Sequence, residues 1–234
     1  MEKKCLMKKI IVIMFGIFLS HPSWAIEPDE YKPLVATGLA EIDAFERSGW
    51  RVKRISKNGK TTIHEVFDPE RTPHWRLISI DGQEPDQKQR EEYDKGQTEE
   101  HEQKEQEFKV DNLSDMVPLH SLAIVDIQGQ RVRLSFNPRL SGFDKEEQEK
   151  LTGILLLDIA KGALLSLEIY NTADLNPNFF VSFHQFSISM EFVQLRQQLM
   201  RHKLVSNIQG KAIFSNTFNQ KLEQVYTDYV FLGE

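Results

Sequence analysis

The 234-residue chain is 40% apolar and 27% charged, a balance that suits a packed core rather than a disordered polymer. Its formal net charge of −6 excludes the basic footprint by which proteins neutralise nucleic-acid phosphates. A single cysteine, Cys5, excludes an internal disulfide and a cysteine-ligated zinc.

The first 25 residues read as a leader. Lys3, Lys4, Lys8 and Lys9 precede an apolar run of ten, Ile10 to Leu19, and Pro22 then breaks the helix. Ten apolar residues fall short of the about 20 that span a bilayer. Ser23-Trp24-Ala25 puts small residues where a signal peptidase cuts. Cleavage after Ala25 and export to the periplasm are expected, with no stable membrane insertion afterwards; retention as an N-terminal anchor is the alternative. The leader holds four of the 29 basic and one of the 35 acidic side chains, so residues 26–234 carry a net charge of −9.

After a proline-containing lead-in, Leu34, Val35, Leu39, Ile42 and Phe45 recur at helical spacing, with Gly49 as the expected stop. Val52 and Ile55 lead into Asn58-Gly59, a hairpin signal from which Thr61 to Phe67 returns. Trp75 to Ile80 is a third strand, with Trp75 at least half-buried. Asp81-Gly82 turns the chain out of it, and Pro85 opens a helix. From Asp86 to Glu107, thirteen of 22 residues are charged and Tyr93 is the lone large apolar one. Acid-first spacing at Asp86/Arg90, Glu91/Lys95 and Glu100/Lys104 suits a helix. With no apolar face, this arm reads as a solvated, partly frayed helix or as a docking arm for a basic partner.

Ser121 to Phe136 reads as a hairpin turning at Gln128-Gly129, and Leu151 to Tyr170 as one turning around Ala160 to Gly162. Phe179 to Leu195 is a long strand whose last part equally suits a helical turn. Leu204 to Ile208, Ala212 to Phe218 and Leu222 to Leu232 complete a meander. Short connections without alternating helices imply an antiparallel sheet. The expected architecture is one mainly β (α+β) domain over residues 26–234: a strongly bent antiparallel sheet, or incomplete barrel, with helices against its concave side.

The bend is expected in the long strand. Phe179, Val181 and Phe183 share one parity, whereas Phe186, Ile188, Met190 and Phe192 share the other. A β-bulge near His184-Gln185 restores the phase and sets all seven on one buried surface. Val181, Phe183, Phe186, Ile188, Met190 and Phe192 are thus the candidates for lining a ligand cavity. Ile154 to Leu157, four apolar residues in succession, imply a strand covered on both faces.

Between Arg47 and Lys60 the chain carries Arg47, Arg51, Lys53, Arg54, Lys57 and Lys60 with no acid. These six either guard an edge hairpin against aggregation or contact an anionic surface, whether lipid headgroups or the protein's own acidic arm. His64-Glu65, and His101-Glu102 with Glu105, are the arrangements nearest to metal ligands. Neither has the spacing that puts two histidines on one helix face, so no metal is expected. No serine elbow and no phosphate-cradling glycine loop occurs, so neither a catalytic residue nor a cofactor is assigned.

The run FDPERTPHWRLISIDGQEP, Phe67 to Pro85, resembles a group of uncharacterised secreted bacterial proteins in which F-D-P is followed by a W-x-L strand, a D/N-G turn and a proline. EKLTGILLLDIAKGAL and NIQGKAIF…VYTDYVF are similar to that group's later strands. The group is similar in layout to outer-membrane lipoprotein carriers of the LolA/LolB type. The resemblance implies an incomplete, strongly bent barrel, helices against its open side and an apolar cavity for acyl chains. The expected function is a non-enzymatic periplasmic binding protein for a lipid, an acylated protein or a similar amphiphile. The alternative is an envelope interaction protein that holds a protein partner through the acidic arm or basic hairpin.

Overall fold

The structure, a computed structural model, describes residues 28–45, 49–106, 112–213 and 215–233. The expected leader and Arg47 lie outside the described residues. Eleven strands form one antiparallel sheet: β1 (Trp50–Asn58), β2 (Thr61–Phe67), β3 (Trp75–Ile80), β4 (Ala123–Gln128), β5 (Arg131–Phe136), β6 (Leu151–Asp158), β7 (Ala163–Asn171), β8 (Leu175–Asn178), β9 (Val181–Leu195), β10 (Gln198–Ala212) and β11 (Ser215–Phe231). Among the described residues four α-helices accompany them: α1 (Lys32–Asp43), α2 (Gln87–Gln106), α3 (Leu113–Met116) and α4 (Lys145–Gln148).

The strand order is β3-β2-β1-β11-β10-β9-β7-β6-β5-β4, with β8 beside β9, and the sheet does not close. Nearly every neighbouring pair is a hairpin; β1 with β11 is the long-range exception. The expected turns are present. Gly59, Gly82, Gly129 and Gly162 all have positive φ at hairpin turns, and Asp81 joins Gly82 at φ 50°. This two-residue turn is closed by backbone bonds between Ile80 and Gln83 in both directions.

The meander differs from expectation. Two long strands, β10 and β11, stand where three shorter ones were expected. β9 runs as a strand to Leu195, and a turn at Arg196-Gln197, both with positive φ, starts β10. Neither residue is a glycine, so the turn left no ordinary signature. Gly49 is not the helix stop either: α1 ends at Asp43, and Gly49, φ 72°, immediately precedes β1.

The bulge in β9 lies where the parity switch requires it. Gln185 pairs with Gln209 and Phe183 with Gly210, which leaves His184 as the extra residue. Phe183 and Phe186 accordingly meet on one face, both against Phe143. Phe179 departs from the expectation. With Phe180 it forms the exposed turn between β8 and β9, the two rings edge to face, because β9 begins only at Val181.

Further bulges interrupt β1/β11, β2/β3, β4/β5 and β6/β7, and β9/β10 has a second at Arg201/Lys203. Each bends its strand, and the helices lie inside the bend. Val35, Leu39 and Ile42 of α1 join Leu134, Leu155, Leu167 and Phe186 of the sheet in one core. Gly38 permits the close approach: a Cβ there would stand 3.3 Å from Leu199 and 3.4 Å from Leu164. In β6 the burial alternates, so Ile154 and Leu156 are half-exposed rather than covered. Their cross-strand neighbours on that face are Arg133, Ser135, Ser166 and Glu168, which shield them partly.

Candidate functional site

Where α1 ends, the sheet and helices separate and leave a cavity of about 610 Å³. Its roof is Ile42, Asp43 and Phe45 with Leu113 and Met116 of α3, and exposed Asn112 marks its rim. Its floor is Ile188 and Met190 of β9, Leu199, Arg201, Leu204 and Ser206 of β10, and Tyr226 and Tyr229 of β11. Arg54 of β1 and Trp75 of β3 form the far wall.

Bulges decide which floor residues face inward. On β10, Arg201 pairs with Phe192 and Lys203 with Glu191, so His202 is the extra residue. Leu199 and Arg201 are thereby brought into phase with Leu204 and Ser206. On β11, Arg51 faces Val230 whereas Lys53 faces Thr227, and Asp228 has φ 52°. Tyr226 and Tyr229, three residues apart, consequently line one cavity. Without those two extra residues, Arg201 and Tyr229 would point away from it.

The roof is fastened by acids at the end of α1. The Asp43 carboxylate accepts from the backbone N–H of Leu113 at 2.8 Å, and from the N–H and hydroxyl of Ser114 at 3.0 and 2.6 Å. Glu41 accepts from the N–H of Leu199 at 2.8 Å, which ties α1 to the start of β10.

The far wall is a polar network. Glu65 is buried and accepts both prongs of the Arg54 guanidinium at 2.7 and 2.8 Å, the Ser56 hydroxyl at 3.0 Å and the Tyr93 hydroxyl at 2.7 Å. Burial alone would raise the Glu65 carboxyl, but the Arg54 bonds and charge, with those of Tyr93 and Ser56, hold it below the ordinary carboxylate range. Burial and the Glu65 charge push the Tyr93 phenol up. Arg54 also lies over the Trp75 ring, 3.8 Å from its centroid. Trp75 is mostly buried on β3, as its sequence context implied.

Tyr93 therefore changes the reading of the charged arm. Asp86 caps α2 reciprocally with Gln89, at 2.8 and 2.9 Å. Arg90 bonds Glu84 at 2.8 Å rather than the expected Asp86, whose Oδ1 caps the Gln89 N–H. Tyr93 then anchors the helix into the sheet, so α2 is not simply a solvated appendage. The other cations near Arg54 are distributed by strand alternation. Arg51 pairs with Asp68 at 3.0 Å, Lys53 with Asp228 at 2.7 Å, and Lys57 stands opposite Glu223. Lys60 is exposed in the turn. The hairpin is not at an edge, since β1 lies between β2 and β11. Its cations face acids that are distant in sequence, which weakens it as a basic patch.

Of the six expected cavity residues, Ile188 and Met190 line the cavity. Phe183, Phe186 and Phe192 are packed in the filled core, and Val181 is half-exposed near the end of the sheet. The residues missed include Leu113 and Met116 of α3 and those of β10 and β11. On β10 and β11 the signals were the spacing of three between Tyr226 and Tyr229 and of five between Leu199 and Leu204, each a parity switch. No group of histidine, cysteine and acid residues that could hold a metal ion occurs among the described residues. Comparison with protein-family models, curated proteins and solved structures finds no match to the chain.

Proposed function

We propose that the protein is a non-enzymatic binding protein of the periplasm whose cavity takes a lipid, the acyl chains of an acylated protein or a similar amphiphile. The observation that carries this reading is the cavity between α1, α3 and the bent sheet. Its volume of about 610 Å³ falls within the about 300–1,000 Å³ of small-molecule sites. Leu113, Met116, Ile188, Met190, Leu199 and Leu204 supply apolar surface, whereas Arg54, Arg201, Ser206 and the two tyrosines supply polar atoms. That division suits a ligand with an apolar tail and a polar head. Met116 and Met190 add side chains that adapt to an irregular tail.

Native mass spectrometry of the protein isolated from cells that export it provides the test. An amphiphile should copurify with the wild type. It should be absent from Leu204→Trp, in which an indole fills the cavity, while circular dichroism stays unchanged. A wild type that carries no amphiphile and binds none offered in vitro would overturn the reading.

A further inference from the structure

The two arginines of the cavity differ in one respect that narrows the ligand class. Arg54 spends its guanidinium on Glu65 in a two-pronged pair. Arg201 has no carboxylate partner among the described residues. Its Nη1 reaches the Tyr226 hydroxyl at 3.5 Å, the outer limit of a hydrogen bond, and its Nε is buried with no partner at all. Tyr226 donates to Gln224 at 3.0 Å, and Tyr229 donates to the backbone carbonyl of Arg201. Asp43, the acid among the cavity residues, has both oxygens occupied by α3. An arginine side chain keeps its charge in proteins, and a buried donor left without an acceptor is costly. The chain accepts that cost with some precision, since the extra residue His202 is what turns Arg201 inward.

We infer that Arg201 is the anion-binding group of the cavity and that the ligand is an anionic amphiphile. Its carboxylate or phosphate receives Nη–H groups of Arg201, and its tail lies along Met116, Met190, Leu199 and Leu204. The planar guanidinium fork matches both anions in a two-pronged fashion. The inference rests on the amphiphile reading above and goes further by fixing the head's charge and its contact.

The experiment is displacement of a neutral fluorescent dye from the delipidated full chain by four competitors: hexadecanoate, hexadecyl phosphate, hexadecanol and inorganic phosphate. At least one anionic amphiphile should displace dye at a concentration about tenfold or more below that of hexadecanol, the scale of one hydrogen bond to a charged group. Whichever anion binds more tightly identifies the head. Arg201→Gln should abolish this preference and leave hexadecanol unaffected, and Arg201→Lys should retain part of it. Melting of the ligand-free Arg201→Gln protein should be unchanged or raised, because a buried Nε–H without an acceptor has been removed.

Equal displacement by hexadecanol and both anions would overturn the inference and leave the amphiphile reading standing. So would a preference that survives in Arg201→Gln. Inorganic phosphate competing as well as hexadecyl phosphate would show a site for a free anion and overturn it too. Displacement by none of the four would overturn both readings. The wild-type comparison stands even if a variant fails to fold.

Discussion

Leu155, Leu157, Leu167 and Ile169, in one half of the sheet, have no exposed surface, whereas Ile188, Leu204 and Trp75 in the other half face a cavity. Both halves are antiparallel, bulged and lined with large side chains. The difference comes from what covers them. Against β7 and the start of β10 the helix α1 descends until Gly38 meets Leu164 and Leu199, and the gap fills. Beyond Asp43 the roof is only the four-residue α3, held by one carboxylate, and the second core there is small: Val52, Phe67 and Tyr226 with Phe45, Trp75 and Tyr229 around them. A polar network replaces the missing apolar mass. One half of the sheet is filled by its own side chains, and the other leaves open space beneath its roof.

The largest expected effects lie one in each half, and they differ in how they can be rescued. Phe136→Ala should cost about 3–5 kcal/mol, since the ring is buried directly over Gly153, where even a Cβ would stand 2.2 Å from it. Glu65→Ala should cost a similar about 3–5 kcal/mol by leaving Arg54 buried and unpaired. Adding Arg54→Met should recover most of the second loss, and nothing comparable should restore the first. Urea unfolding of the single and double variants measures both; failure of the double variant to recover would show that the Arg54–Glu65 pair is not the source.

Tyr93→Phe should cost about 1–2 kcal/mol, because it removes one of four bonds to a buried carboxylate. If α2 were merely solvated, the same change would cost nothing.

Acid should attack the open half selectively. The folded-state pKa of Glu65 lies below its ordinary value of 4.5. Its contribution is therefore present above pH 4.5 and is lost as the pH falls through the lower folded value. Melting temperature plotted against pH should show a decline below about pH 4.5 that Glu65→Gln makes shallower; parallel curves would break the assignment.

The smallest effect belongs to the cavity floor. Leu204→Ala should cost only about 1 kcal/mol, because its side chain already faces open space and loses only partial burial. Leu167→Ala, chemically the same change in the filled half, should cost about 3 kcal/mol or more. Equal costs would erase the contrast between the halves.

The filled half was largely legible in the sequence. Gly129 and Gly162 marked its hairpins, and the parity change between Phe183 and Phe186 located the bulge at His184. Local periodicity suffices there, because apolar residues on one face of a strand need only a core beneath them. The cavity half was less legible for a physical reason. Its inward set on β10 mixes Leu199 and Leu204 with Arg201 and Ser206, so no run of apolar alternation reveals the face. Its turn at Arg196-Gln197 takes positive φ without glycine. The pairing of Tyr93 with Glu65 joins a charged helix to a strand 28 residues earlier, and no local pattern carries that contact.

The place of β11 in the sheet has a consequence for the order in which the molecule forms. β1, β2 and β3 can pair as local hairpins early, and β4 to β10 can do the same, but the two groups share no strand. They meet only when β11 inserts between β1 and β10, pairing Trp50 with Phe231 across almost the whole described chain. Closing so long a loop is the slowest kind of step in a folding reaction. Arg54 lies on one side of that junction and Arg201 on the other, so the cavity does not exist in any intermediate that lacks β11. A ligand that fills it binds only the finished sheet, and the joining of the two strand groups is the step that ligand would draw forward by mass action.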